Sequence, residues 1–219
     1  KRQVVMATEK GIVKKTKLSA YSNPRKKGIY AVEIRDGDKL IEARVSTGDN
    51  DILLGTRNGK SIRFSEEQIR PSGRKTMGVK GITLSSEDDR LVGMLLIKRE
   101  GTTVLVATEK GFGKRTEISQ YRAQKRGGKG VLTMKTTDKV GKMVTIKEVV
   151  DKDDLMIITN QGVLIRQPVS QIRAIGRATQ GVKLIKLGEG TLVSSITRIM
   201  SEEDSGDENN STEPKGNTE

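Results

Sequence analysis

The fold is decided by one octapeptide, Val104-Leu105-Val106-Ala107-Thr108-Glu109-Lys110-Gly111, in which an apolar strand-forming run ends in a polar turn closed by glycine. Related octapeptides recur three times in the chain: Val4-Val5-Met6-Ala7-Thr8-Glu9-Lys10-Gly11, Ile52-Leu53-Leu54-Gly55-Thr56-Arg57-Asn58-Gly59 and Leu155-Met156-Ile157-Ile158-Thr159-Asn160-Gln161-Gly162. Their closing glycines, at 11, 59, 111 and 162, are 48, 52 and 51 residues apart. A period of this length is typical of propellers and other repeat architectures.

A second glycine keeps the same period. Gly28, Gly78, Gly130 and Gly181 are 50, 52 and 51 residues apart, and each begins an extended segment. Two markers with one period predict four repeats, near 1–48, 49–100, 101–151 and 152–200.

Within each repeat the pattern is β. The Glu-Lys-Gly, Arg-Asn-Gly and Asn-Gln-Gly turns suit hairpins whose last turn residue has positive φ. We expect about four strands per repeat, which in the first lie near 4–8, 12–18, 28–34 and 39–46. Single helical turns are predicted at 65–69 and 169–172. The fold class is therefore all-β, a propeller-like array of about four four-stranded blades. The missing Trp and His exclude propellers with Trp-Asp and Gly-His signatures.

Charge points to a polyanionic partner. The formal net charge is +13. Residues 201–219 hold seven acids and one lysine, so residues 1–200 carry 40 cations against 21 acids, or +19. Such an excess is typical of proteins that bind nucleic acid or anionic membranes. No apolar run has the length of a membrane span and no basic amphipathic helix is present, which favours nucleic acid.

The residues that are missing exclude several chemistries. The chain has no Cys and no His, which removes the usual zinc ligands, His-based triads and thiol nucleophiles. We expect no cofactor, no metal and no catalytic residue, with a cytoplasmic location. Only five aromatic residues are present, too few for a protein that stacks on single-stranded bases, so duplex DNA is the better candidate.

Basic residues recur at equivalent places in two parts of each repeat. On the second strand they are Lys14, Lys15, Lys17, Lys60, Arg63, Lys114, Arg115 and Arg166. In the loop before the second glycine they are Arg25, Lys26, Lys27, Arg70, Arg74, Lys75, Arg122, Lys125, Arg126, Lys129, Arg173 and Arg177. On the edges of successive blades they would form a belt that bends a duplex through phosphate contacts. The alternative is a set of solvated charges that keeps a β-rich protein soluble.

One loop is distinctive. Residues 124–130, called here the basic heptad, place three cations and three glycines in seven positions: Gln124, Lys125, Arg126, Gly127, Gly128, Lys129 and Gly130. Glycine permits tight turns and close backbone approach, while lysine and arginine supply charge for phosphates. Residues 201–219 are predicted to be a disordered acidic tail, either inert or competing with DNA for the basic belt.

These motifs carry a family resemblance. Ala7-Thr8-Glu9-Lys10-Gly11, its copy at 107–111, the segment 176–182 and the basic heptad together resemble the C-terminal domain of the bacterial DNA gyrase A subunit. The heptad looks like the gyrase box of that family, and the resemblance covers residues 1–200. It implies a β-pinwheel, in which propeller-like blades exchange a strand with their neighbours. It also implies chiral wrapping of DNA, which lets an ATP-dependent type II topoisomerase introduce negative supercoils. The implied partners are duplex DNA, the remainder of gyrase A, which holds the catalytic tyrosine, and gyrase B, which holds the ATPase.

The chain departs from this family in two respects. The family typically has six blades, whereas four repeats are visible and look like its last four. The family's principal box lies in the first blade, whereas the heptad lies in the third visible repeat. Three alternatives stay open: the matching domain of topoisomerase IV, a non-enzymatic propeller that binds acidic proteins, and an enzyme in a propeller fold. The last is disfavoured, because no carboxylate pair or metal cluster recurs with the repeat.

Overall fold

The computed structural model describes residues 2–97 and 101–200, which form fifteen strands. Repeat 1 holds β1 (Gln3–Thr8), β2 (Ile12–Lys17) and β3 (Leu40–Ser46). Repeat 2 holds β4 (Asp51–Thr56), β5 (Lys60–Ser65), β6 (Val79–Lys80) and β7 (Leu91–Ile97). Repeat 3 holds β8 (Thr103–Thr108), β9 (Phe112–Glu117), β10 (Val131–Leu132) and β11 (Met143–Val149). Repeat 4 holds β12 (Asp154–Thr159), β13 (Leu164–Pro168), β14 (Val182–Lys183) and β15 (Val193–Ile199).

The octapeptides form the hairpins that the sequence predicts. Each closing glycine has a φ between +79° and +82°, a conformation that side chains other than glycine rarely adopt. In repeat 3, for example, β8 and β9 are antiparallel with Val106 opposite Lys114. The prediction of turns closed by a positive-φ residue is confirmed.

The blades, numbered here by the repeat that supplies their first two strands, exchange strands. Blade 1 has the order β3-β1-β2-β6, so its last strand comes from repeat 2. Blades 2 and 3 follow the same rule, with the orders β7-β4-β5-β10 and β11-β8-β9-β14. In the described residues blade 4 has three strands, β13-β12-β15, and its uncovered edge leaves Val163 and Leu164 about half exposed. The all-β, strand-exchanging pinwheel is confirmed.

The core lies between successive blades. The first strand of each repeat (β1, β4, β8 and β12) lies inside its sheet and has apolar side chains on both faces. On β4, Ile52 and Leu54 pack with residues of repeat 1, while Leu53 faces the other way and packs with residues of repeat 3. A strand buried on both faces reads as a continuous apolar run rather than an alternation. This explains why each octapeptide begins with a continuous apolar run.

The two edges of each sheet have different neighbours. The last strands of the four repeats, β3, β7, β11 and β15, contact one another from blade to blade and form the inner edge. The second strand and the exchanged strand therefore lie at the outer edge, where the loops are exposed.

Short 3-10 turns follow the second strands. Those at Glu66–Gln68 and Val169–Gln171 confirm the two predicted helical turns, and equivalent turns occur at Leu18–Tyr21 and Ile118–Gln120. One strand prediction is wrong: residues 28–34 are not a strand, because no described second strand lies beside them as β2 lies beside β6. The predicted acidic tail, residues 201–219, lies outside the described residues.

Candidate nucleic-acid interface

The predicted basic residues fall into two groups with different surroundings. The strand cations lie on the second strands β2, β5, β9 and β13. The loop cations lie in four loops, residues 22–28, 70–78, 122–130 and 173–181, each of which ends at a second glycine. The loops of repeats 2, 3 and 4 run along the second strand of the preceding blade, with single-residue bridges Lys15–Pro71, Arg63–Ala123 and Arg115–Ala174.

Two strand lysines are buried and hold the loop of the next repeat. Lys14 is 2% exposed, and its Nζ donates to the carbonyl oxygens of Arg74 and, at 3.2 Å, Ala31. Lys114 is fully buried, and its Nζ donates to the carbonyl oxygens of Gly176, at 2.7 Å, and Arg177. Burial, assisted by the Arg177 charge, lowers the pKa of Lys114 to about 8. Burial is also the main cause that lowers the pKa of Lys14.

A strand cation is paired with an acid in every repeat. Lys15 lies 3.5 Å from the buried carboxylate of Glu66, and Arg115 pairs with Asp151. Arg63 and Arg166 lie 2.7 and 2.5 Å from the aspartates that begin β4 and β12.

Four of the strand cations that are predicted to bind DNA, Lys14, Lys15, Lys114 and Arg115, are therefore buried in this structure rather than presented at its surface. These residues are at most 7% exposed, and their side chains are engaged by carbonyl groups or acids of neighbouring segments. Arg63 is half-buried and paired, Arg166 is exposed and paired, and Lys60 is half-buried on β5. The sequence pattern could not separate these residues from the loop cations, because a lysine that links two blades recurs with the same period as a surface lysine.

The loop cations have the opposite character. The four loops contain three, three, four and two cations, twelve in all, and no acid. Nine of these side chains belong to exposed residues: Arg25, Lys26, Lys27, Arg70, Lys75, Arg122, Lys125, Lys129 and Arg173. The remaining three are the half-buried Arg74, Arg126 and Arg177.

These three arginines occupy one equivalent position and make one equivalent bond. The Nη1 atoms of Arg74, Arg126 and Arg177 donate to main-chain carbonyls of the preceding repeat. The acceptors are Tyr30 O at 3.2 Å, Lys80 O at 3.0 Å and Leu132 O at 2.5 Å, each two residues after a second glycine. The guanidinium thus forms a hydrogen-bonded link, called here the latch, between its loop and the preceding repeat. The charge pattern of the sequence does not indicate this role.

The glycines of the basic heptad permit close docking on blade 2. Gly127 N donates to Gly81 O at 2.7 Å, and Thr83 N donates to Gly128 O at 2.9 Å. Gly130 has a φ of +69°, and a Cβ there would lie 2.3 Å from Ser61 O. The heptad is therefore a docked loop from which Lys125 and Lys129 project as exposed residues.

Other kinds of site find no support in the described part of the chain. Residues 2–97 and 101–200 bring together no group of three or more Asp and Glu side chains that could hold a metal ion. Within the same ranges, no helix has the length and apolar character of a membrane span.

Blades that exchange a strand with the next repeat define the class: a β-pinwheel, with a row of acid-free basic loops on its outer edge. The chain belongs to the family described as the DNA gyrase C-terminal domain, beta-propeller, which matches residues 2–47, 50–98, 102–149 and 153–199.

Two relatives that are similar in sequence support this assignment. The DNA gyrase A subunit of Staphylococcus epidermidis is 46% identical over 202 residues, which are 92% of this chain and 22% of that protein. Its counterpart from Staphylococcus aureus is 44% identical over 216 residues, 98% of this chain and 24% of that protein. The chain thus spans less than a quarter of these relatives.

Two solved structures share the fold. The C-terminal domain of DNA topoisomerase IV superposes with a TM-score of 0.86 at 24% identity, covering 91% of this chain and 62% of that one. The gyrase A C-terminal domain gives 0.81 at 22% identity, covering 91% and 66%.

Proposed function

We propose that the outer edge binds duplex DNA through its phosphates and bends it. The supporting observation is the set of twelve loop cations, at equivalent places in successive blades, without an acid among them. Lysine and arginine side chains that neutralise phosphates give affinity with little base readout. The duplex would follow the row of loops, so its curvature would come from the angle between blades.

In the whole protein we propose a matching role. This chain is the C-terminal part of the A subunit of a type II topoisomerase, with no chemistry of its own. It wraps DNA for the catalytic parts of gyrase A and gyrase B, in the cytoplasm, so that the holoenzyme introduces negative supercoils. The family assignment and the two staphylococcal relatives support this proposal.

A second candidate is the corresponding domain of topoisomerase IV, which the structural likeness favours. The two candidates differ in how strongly DNA is deformed. Nicked circles that are sealed by ligase in the presence of the chain and then deproteinised separate them: a shift in linking number is expected for wrapping, and little shift for weak bending.

The central test removes the two exposed lysines of the basic heptad. In Lys125→Ala/Lys129→Ala, the negative slope of log affinity against log salt should become shallower by about 1.8, since each lost phosphate contact contributes about 0.9. The free energy of unfolding should stay within about 0.5 kcal/mol of the parent, because both residues are exposed. Arg126 is left unchanged because it links two blades.

Lys139→Ala is the matched control. Lys139 is exposed like the two heptad lysines, but it lies between β10 and β11 rather than in a basic loop. If the control weakens DNA binding as much per lysine as the heptad variant does, a general charge effect replaces the proposed belt. Equal slopes for the parent and the heptad variant would refute the role of these lysines.

A further inference from the structure

We propose that Gln68, on blade 2, is a positioning residue for the DNA-binding lysines of the repeat 3 loop. The proposal rests on the proposed function, in which the loops bind phosphates. Gln68 ends the 3-10 turn Glu66–Gln68 and contacts the basic heptad three times. Its Nε2 donates to Gln124 O at 3.3 Å, its Oε1 accepts from Arg126 N at 2.9 Å, and its carbonyl oxygen accepts from Arg126 Nε at 3.0 Å.

These contacts fix the main chain on both sides of Lys125. The residue before it is held through its carbonyl and the residue after it through its amide, both by one side-chain amide group. The main chain beside Lys129 is held by other residues: Gly128 O accepts from Thr83 N, and Gly130 lies so close to blade 2 that an added Cβ would be 2.3 Å from Ser61 O. A loop held in its bound conformation loses less conformational entropy when it binds, which raises affinity without adding a contact.

An equivalent glutamine, Gln120, lies at the junction between repeats 3 and 4. Gln120 Oε1 accepts from Arg177 N at 3.1 Å, and Gln120 O accepts from Arg177 Nε at 3.0 Å. In that loop, however, the positions of Lys125 and Lys129 are occupied by Gly176 and Gln180. The first repeat has Ala20 at the position of the glutamine. Of these two glutamines, Gln68 is therefore the one that holds a loop with two exposed lysines.

The test is Gln68→Ala, with Gln68→Met as a second variant of similar side-chain length and no amide. Affinity for a duplex of about 40 base pairs, measured by fluorescence anisotropy at several salt concentrations, should fall about 3- to 10-fold. The salt dependence should also become shallower although no charge has been removed, because lysine–phosphate contacts are lost. A role in stability alone would leave the slope unchanged at temperatures where the variant stays folded, which circular dichroism checks.

Two further measurements isolate the positioning role. In the Lys125→Ala/Lys129→Ala background, Gln68→Ala should change affinity by less than about twofold, because the lysines that it positions are gone. Gln171→Ala is the matched control: Gln171 is the equivalent residue of repeat 4 and has no following loop to hold in the described residues, so DNA affinity should match the parent.

The outcomes separate this proposal from the proposed function. If the lysine variant loses affinity but both Gln68 variants match the parent, the positioning role is refuted and the DNA-binding role stands. An unchanged slope with weaker binding, or additive effects in the combined variant, would make Gln68 a direct contact and also refute positioning. If the lysine variant itself has no effect, the DNA-binding role of Lys125 and Lys129 is refuted, and the positioning role of Gln68 is refuted with it.

Discussion

The loops of repeats 3 and 4 have the same scaffold and different charges. Both loops are latched through an arginine, Arg126 or Arg177, to a carbonyl of the preceding repeat and to a glutamine. Both end in a positive-φ glycine pressed against a main-chain carbonyl oxygen. A methyl group added at Gly130 would lie 2.3 Å from that oxygen, and one added at Gly181 would lie 2.5 Å from its counterpart.

Two positions beneath and within the loops differ. A buried lysine, Lys114, supports the repeat 4 loop from β9, whereas Ile62 occupies that position under the repeat 3 loop. The repeat 3 loop carries Lys125 and Lys129 where the other has Gly176 and Gln180. The basic heptad therefore has two components. Its arginine and last glycine build the junction, while its lysines are the variable part that meets solvent.

The largest expected effect comes from the shared glycine. Gly130→Ala should lower the free energy of unfolding by roughly 2–4 kcal/mol, because alanine disfavours a φ of +69° and its methyl would collide with Ser61 O. Gly181→Ala, with a φ of +75° and a carbonyl 2.5 Å away, should cost a similar amount. Urea denaturation measures both changes.

Gly128→Ala is the control within the same heptad. Its φ is not in the left-handed region, and the nearest atom to a new Cβ would be Ile62 Cδ1 at 3.5 Å, an ordinary contact. A change within about 1 kcal/mol is expected. If Gly128→Ala and Gly130→Ala are equally destabilising, the glycines act through general loop flexibility and not through the docked geometry described here.

Much of the fold could be predicted from the sequence because short-range patterns specify its hairpins and turns. The four octapeptides with closing glycines define hairpins, and the second glycine marks the start of a further extended segment. The crossing of that segment to the preceding blade was implied only by the family resemblance. The exception is residues 28–34, which share the glycine and the apolar run with the exchanged strands. A strand is defined by its partner, and no described second strand is available beside this segment.

The interface was less predictable, because charge in a sequence does not reveal burial. Lys14 and Lys114 have the composition and period of surface cations, yet each supplies an ammonium group to carbonyls of the next repeat. The ion pairs of Lys15 and Arg115 join residues 51 and 36 positions apart, a separation that no local pattern marks. Gln68 was missed for the same reason, since its partners lie 56 and 58 positions away.

Lys114, which supports the repeat 4 loop, should make the free energy of unfolding depend on pH. Since the folded-state pKa of Lys114 is lowered to about 8 and its ordinary value is 10.5, the unfolded chain binds more protons between these values. Raising the pH from 8 to 10.5 should therefore stabilise the parent relative to Lys114→Met, by about 1–3 kcal/mol of unfolding free energy. Below pH 8 the difference between the two proteins should be constant.

The matched control is Ile62→Met, at the equivalent position of repeat 2. Its stability difference from the parent should not vary over the same pH range, because no titratable group changes. Urea titrations at pH values from about 7 to 10.5 measure both series. Parallel curves for the parent and Lys114→Met would show that Lys114 keeps its ordinary pKa and is hydrated in solution.

The smallest expected effect is a gain of binding in the loop that lacks the lysines. Gly176→Lys/Gln180→Lys gives the repeat 4 loop the charges of the repeat 3 loop at the positions of Lys125 and Lys129. Gly176 tolerates a side chain, because its φ is ordinary and no atom lies within 4 Å of an added Cβ. The salt slope should steepen by about 1.8 and affinity at low salt should rise by roughly 3- to 10-fold, as anisotropy titrations would measure.

The control for this gain adds the same two charges away from the row of loops. Thr137→Lys/Gly188→Lys places lysines at exposed positions between β10 and β11 and between β14 and β15, and Gly188 has an ordinary φ with room for a Cβ. If this control binds DNA as tightly as the repeat 4 variant, net charge governs binding and the loops of repeats 3 and 4 do not differ in function. If only the repeat 4 variant gains affinity, the scaffold of latch and glycine is sufficient to present lysines to a duplex wherever the repeat supplies them.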